Sequence, residues 1–204
     1  GVVFGSAGPW RSLLEAFLVS TGVVALGEMG DKTQLLAIVL AAAFSKPIPI
    51  IAGILVATLV NHAAAGAVGG WVAQALGPDI LRWVIGLSFL AMAGWMLIPD
   101  KIDDDAAGGK QRFGVFGTTV VAFFLAEMGD KTQLATVALA ARFDVLAAVV
   151  LGTTLGMLIA NVPAVLVGEA LAQKLPMKAI RYTAAGVFIA TGLVTMFGMP
   201  GIAQ

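Results

Sequence analysis

Two identical octapeptides hold the reactive side chains of this protein. EMGDKTQL fills residues 28–35 and again 127–134. Each copy sets Glu, Asp, Lys, Thr and Gln inside a run of Ala, Val, Leu, Ile, Phe and Gly. Glu28 and Asp31 are three residues apart, and Gln34 is three further on. The second copy repeats the spacing with Glu127, Asp130 and Gln133. Helix positions three and four apart share a face. The spacing therefore predicts two carboxylates and a carboxamide along one side of one helix, with Lys32 and Lys131 beside that stripe.

Ionisable side chains inside apolar spans are costly; they face internal cavities and mark ion or proton pathways. If the two copies meet, Glu28, Asp31, Glu127 and Asp130 form one cluster with Gln34 and Gln133 at its rim. Every donor is then an oxygen. That set suits Ca²⁺, Mg²⁺ or Mn²⁺ and not Zn²⁺ or Cu⁺, which prefer Cys and His. Four carboxylates and two lysines leave a charge of −2. One divalent ion balances it, and so do two protons when the ion is absent. Exclusive binding of a metal or protons at one site is the logic of an antiporter. Glu28 and Glu127 are the ligands expected to exchange protons first, then Asp31 and Asp130. The competing structural reading is a pair of buried ion pairs, Glu of one copy with Lys of the other, although such pairs add little stability.

The elements that must position these groups are membrane helices. The 204 residues are 59% apolar and only 12% charged, and mean hydropathy is +0.97. Soluble domains run at about 45–50% and about 25%. Net charge is zero and Cys is absent, which argues against nucleic acid and removes disulfides and thiolate chemistry. The first residues have no basic stretch ahead of an apolar one, so they do not read as a signal peptide. Six apolar segments are expected, near 12–43, 47–76, 79–98, 113–142, 145–174 and 178–198. Four of them are about 30 residues long, roughly 45 Å of helix against about 30 Å of hydrocarbon. Those segments must tilt or break. In the first and fourth the bend is expected at the glycines of the motif, Gly27, Gly30 and Gly129.

The repeat extends past the octapeptide. At a constant offset of 99 residues Gly53 falls on Gly152, Gly69 on Gly168, Arg82 on Arg181 and Phe89 on Phe188. The fold expected is all-α: six transmembrane helices in two three-helix units, residues 1–98 and 113–204, joined by a polar cytoplasmic loop at 99–112. An odd number of spans per unit makes the second enter from the opposite side, an inverted-topology repeat. Arg11, Arg82 and Arg142 lie on one side. Lys46, Lys101, Lys110, Arg112, Lys174, Lys178 and Arg181 lie on the other, which favours that side as cytoplasmic and both termini as outside.

Other polar residues are open to two readings. His62, the one histidine, aligns with Asn161 at the centre of the second and fifth segments. Each either reaches the ion site or forms an interhelical hydrogen bond. Thr33 and Thr132 either cap a helix break, offer a hydroxyl, or bond back within the helix. Glu169 reads as interfacial, Asp103, Asp104 and Asp105 as solvated, and Trp10, Trp71, Trp83 and Trp95 as interface anchors. No His-Glu-x-x-His and no Ser/His pairing is present, so no enzyme is expected.

Glu-hydrophobic-Gly-Asp-Lys-Thr, present at 28–33 and 127–132 in a six-segment chain, resembles the family of human transmembrane protein 165 and its yeast Golgi relative. The resemblance covers essentially the whole chain and implies exchange of Ca²⁺ or Mn²⁺ for protons. The short loops look like a bacterial member, which implies manganese export across the plasma membrane. The partners expected are a divalent ion, protons and the bilayer, with a homo-oligomer left open, and no cofactor. A passive cation channel and an exporter of a small organic cation are the alternatives.

Overall fold

The computed structural model describes residues 9–98, 114–167 and 177–197. They form eight helices: α1 (Pro9–Glu28), α2 (Lys32–Phe44), α3 (Pro47–Ala75), α4 (Pro78–Met96), α5 (Gly114–Glu127), α6 (Lys131–Arg142), α7 (Leu146–Val167) and α8 (Met177–Phe197). No strand occurs among the described residues. The central loop at 99–112, Glu169, Lys174 and the ends of the chain lie outside them.

Two of the expected segments are each two helices. α1 stops at Glu28 and α2 begins at Lys32; α5 stops at Glu127 and α6 begins at Lys131. Gly30 at φ 79° and Gly129 at φ 72° occupy the left-handed region, which costs other L-residues and ends a right-handed helix. The expectation of one continuous acidic stripe is therefore corrected. Glu28 and Asp31 sit on opposite sides of a break, as do Glu127 and Asp130. Sequence spacing predicts a shared face only while the backbone stays helical, and glycine at the third motif position ends that. The other boundaries follow local chemistry. Pro47 and Pro78 open α3 and α4 at positions where a missing N–H costs nothing. Ser45 closes α2 in the left-handed conformation at φ 52°.

Three helices are long and apolar enough to cross a membrane on their own: Trp10–Glu28, Pro47–Ala75 and Leu146–Val167. α2, α5 and the Tyr182–Phe197 part of α8 are apolar but shorter. Large apolar side chains such as Leu18, Val60, Leu125, Leu151 and Leu166 point outward, as they do where lipid is the solvent. The four tryptophans are exposed as well.

Packing follows the repeat. α1 packs on α7 and α5 on α3; α2 packs on α7 and α6 on α3; α3 meets α7 at the centre. Close approach is made by glycine at matched positions. A Cβ on Gly53 would lie 2.7 Å from Thr119 Cβ on α5, and one on Gly152 would lie 2.5 Å from the Phe17 carbonyl on α1. α4 and α8 pair with each other, and there the repeat-equivalent Phe89 and Phe188, both fully buried, meet edge to face with centroids 5.8 Å apart. The match is incomplete. α4 also packs on α6 and α8 on α1, so this pair joins an apolar cluster with Ala16, Val23 and Leu139. A second cluster, built on Val24, Leu36, Leu40, Ile54, Phe123 and Met157, holds the α2–α5 side.

Candidate metal centre

The two breaks bring four helix ends to the middle of the molecule. Asp31 and Asp130 head α2 and α6, yet neither carboxylate caps its own helix. They remain at helix N-termini, where the backbone dipole favours negative charge. Glu28 and Glu127 close α1 and α5, and their carbonyls accept the Asp31 and Asp130 amides at 3.0 and 3.1 Å. The glutamines tie the turns down. Gln34 Oε1 accepts the Gly30 amide at 2.9 Å, and Gln133 Oε1 accepts the Gly129 amide at 2.6 Å.

Carboxylates from both copies converge. Glu28, Asp31 and Asp130 are all buried, and one oxygen from each lies within 4.8 Å of the others. The aspartates exchange lysines: Lys131 of the second motif pairs with Asp31 of the first, and Lys32 lies 3.5 Å from Asp130. The cross-pairing uses Asp and not Glu. It is also unequal, because the Lys131 side chain is 2% exposed and that of Lys32 is 31% exposed. Thr33 donates to Glu28 Oε2. Glu28 Oε1 and both Asp130 oxygens lack hydrogen bonds among the described residues. Buried carboxylate oxygens without donors are expensive. An oxygen cage with spare acceptors suits a hard divalent cation.

Glu127 is placed differently. It is fully buried but stands outside that group and turns to α3. Thr58 Oγ1 donates to its Oε1 at 2.8 Å, Asn61 Nδ2 to its Oε2 at 3.3 Å, and His62 Nε2 lies 3.9 Å from Oε2. Gln133 Nε2 donates to Asn61 Oδ1. Gln34 makes the matching reach, donating to the Ala160 carbonyl at 2.9 Å, the position equivalent to Asn61. Asn161 Nδ2 donates to the Met157 carbonyl at 3.0 Å and to its sulfur at 2.9 Å, while its buried Oδ1 has no hydrogen-bond partner among the described residues. Thr132 is buried with its hydroxyl beside the Glu28 carboxylate.

Thr58 is a contact the motif alone does not reveal. It stands with Asn61 and His62 at positions i, i+3 and i+4 of α3, one polar face on an otherwise apolar helix. That pattern is the signal that could have found it.

A cage of oxygen donors from two copies of one motif, inside an apolar helical bundle, has the donor chemistry that a hard cation requires. Comparison with known families decides the rest: residues 16–104 and 115–201 match the family described as "Divalent cation/proton antiporter GDT1". The chain belongs to this family. It is 51% identical over 190 residues to a Vibrio cholerae protein named "Putative manganese exporter", covering 93% of this chain and 94% of that one. GDT1-like protein 3 of Oryza sativa is 26% identical, over 98% of this chain and 79% of the rice protein. GDT1-like protein 5 of Arabidopsis thaliana is 26% identical, over 91% and 96%. No solved structure matches the chain. GDT1 proteins are antiporters, a transporter class and not an enzyme class. Apolar helices of membrane-spanning length agree with an integral membrane protein.

Proposed function

We propose that this GDT1 protein exports Mn²⁺ from a bacterial cell across the plasma membrane, in exchange for protons moving inward. Six spans carry the exchange, with α1–α2 and α5–α6 each serving as one broken span. Two three-helix units, residues 1–98 and 113–204, lie in opposite orientations about the centre, with a cytoplasmic loop between them and both termini outside. The reading is supported by discontinuous helices at the site, a common device of inverted-repeat transporters, and by the swapped pairing of equivalent helices.

One observation carries the proposal: Glu28, Asp31 and Asp130, from both motif copies, place buried oxygens within 4.8 Å of one another. These three receive the ion. Glu127, Gln34 and Gln133 join when the breaks rearrange. Lys131 holds Asp31 when no ion is bound, and the ion displaces it. Two protons on the carboxylates restore charge balance for the return step. The unequal burial of Lys131 and Lys32 supports a cycle of two states, with the second motif's lysine inside in one and the first motif's lysine inside in the other. The name of the Vibrio relative favours manganese among the hard divalent ions.

The test uses sealed proteoliposomes holding a pH dye, challenged in turn with Mn²⁺, Ca²⁺ and Mg²⁺. Mn²⁺ is expected to drive proton movement in the opposite direction, and Glu28→Gln and Glu127→Gln are expected to lose it. Metal entry without proton movement would establish a channel and overturn the proposal.

A further inference from the structure

The two halves of the site share an octapeptide but not their surroundings. Around Glu127, α3 presents Thr58, Asn61 and His62. The equivalent positions on α7 are Met157, Ala160 and Asn161. An imidazole is thus present on one side only. His62 is fully buried, and neither ring nitrogen has a hydrogen-bond partner among the described residues. Native proteins seldom leave such a group unsatisfied without a use for it. Its Nε2 faces a carboxylate oxygen 3.9 Å away, with room between the two for neither a direct hydrogen bond nor a third side chain.

We infer that His62 Nε2 and the Glu127 carboxylate form a mixed nitrogen–oxygen position for the transported ion, and that this nitrogen makes the protein prefer Mn²⁺ to Ca²⁺ and Mg²⁺. The inference rests on the reading above that a divalent ion is carried. An all-oxygen cage suits Ca²⁺, Mg²⁺ and Mn²⁺ alike. A neutral imidazole keeps one bare lone pair, which a transition ion accepts and which Ca²⁺ and Mg²⁺ gain little from. Mn²⁺ stands at the weak end of the first-row series, so one nitrogen selects it without holding it too tightly to release. Asn61 and Gln133 already touch each other beside Glu127, and half a turn of either amide presents a carbonyl to the same ion. Gln133 is half-buried, and the neighbouring Met128 and Gly129 are exposed. His62 and Glu127 themselves are fully buried.

His62 is the single histidine of the chain, so an imidazole signal on bound Mn²⁺ has one source in tag-free protein. Pulsed electron paramagnetic resonance of the Mn²⁺-loaded wild type is expected to show nitrogen coupling that changes when histidine is supplied as ¹⁵N and disappears in His62→Asn. In proteoliposomes His62→Asn is expected to raise the half-saturating Mn²⁺ concentration by about tenfold or more, since altering even the outer partners of metal ligands costs about 10–100-fold. The Ca²⁺ value should stay within about twofold. Bound Mn²⁺ without nitrogen coupling, or equal shifts for Mn²⁺ and Ca²⁺, overturns the inference while leaving antiport intact. A wild type that couples no divalent ion to protons removes both readings together. The wild-type resonance measurement decides the matter even where the variant fails to fold.

Discussion

Lys32 and Lys131 hold the same place in identical octapeptides, and a sequence argument assigns them equal weight. Their environments differ. The Lys131 side chain is 2% exposed and pairs with Asp31, itself buried and part of the three-carboxylate group. The Lys32 side chain is 31% exposed and stands 3.5 Å from Asp130. Removing one partner of a buried pair strands the other charge and costs about 3–5 kcal/mol. The Lys32–Asp130 pair is longer and half-open, with a solvated lysine beside a buried carboxylate, so it is the weaker of the two. In a chain of this length 1 kcal/mol moves the unfolding midpoint by about 2–4 °C. In metal-free detergent solution, Lys131→Gln is expected to lower that midpoint by roughly 6–20 °C. Lys32→Gln is expected to lower it by less, because Lys32 is solvated and stands 3.5 Å from the buried Asp130. Saturating Mn²⁺ then recovers much of the Lys131→Gln loss, because an ion that binds only the folded site stabilises it and supplies beside Asp31 the positive charge the lysine gave. The assay is thermal unfolding of both variants with chelator and with Mn²⁺. Equal losses for the two lysines would refute the assignment of Lys131 as the inner counter-charge. A Lys131→Gln loss that Mn²⁺ does not touch would refute the exchange of lysine for ion.

Two further outcomes follow from the backbone. Gly129 has φ 72° with open space where a Cβ would stand, so Gly129→Ala pays only for the left-handed backbone, about 1–2 kcal/mol, and Gly129→Asn pays less; midpoints in denaturation scans rank the three. Gly53→Ala and Gly152→Ala drive a Cβ to 2.7 Å from Thr119 Cβ and 2.5 Å from the Phe17 carbonyl, each costing about 1–3 kcal/mol by overpacking, whereas Gly70→Ala meets nothing within 4 Å and should leave stability unchanged or slightly raised in the same scans.

The positions of the helices are legible because hydropathy, proline and glycine act locally. Pro47 and Pro78 start helices wherever they fall in the tertiary structure, and Gly30 and Gly129 end them. The arrangement of the acidic groups is less legible, because it depends on what a break does to a stripe. Once Gly30 separates α1 from α2, the three-residue spacing of Glu28 and Asp31 no longer defines a face, and the partner of Asp31 becomes Lys131, 100 residues away. Symmetry misleads in the same way. Identical octapeptides suggest four equivalent carboxylates, yet Glu28 joins the aspartates and Glu127 turns to Thr58, Asn61 and His62. Nothing in EMGDKTQL distinguishes these fates. The difference is written in α3 and α7, where Thr58, Asn61 and His62 stand opposite Met157, Ala160 and Asn161 in the repeat alignment. A duplicated motif can conserve its own chemistry while its supports diverge, and it is the supports that decide which glutamate faces the aspartates and which faces the imidazole. The two glutamates are therefore not equivalent, and in the proposed exchange they need not load ion and proton in the same order.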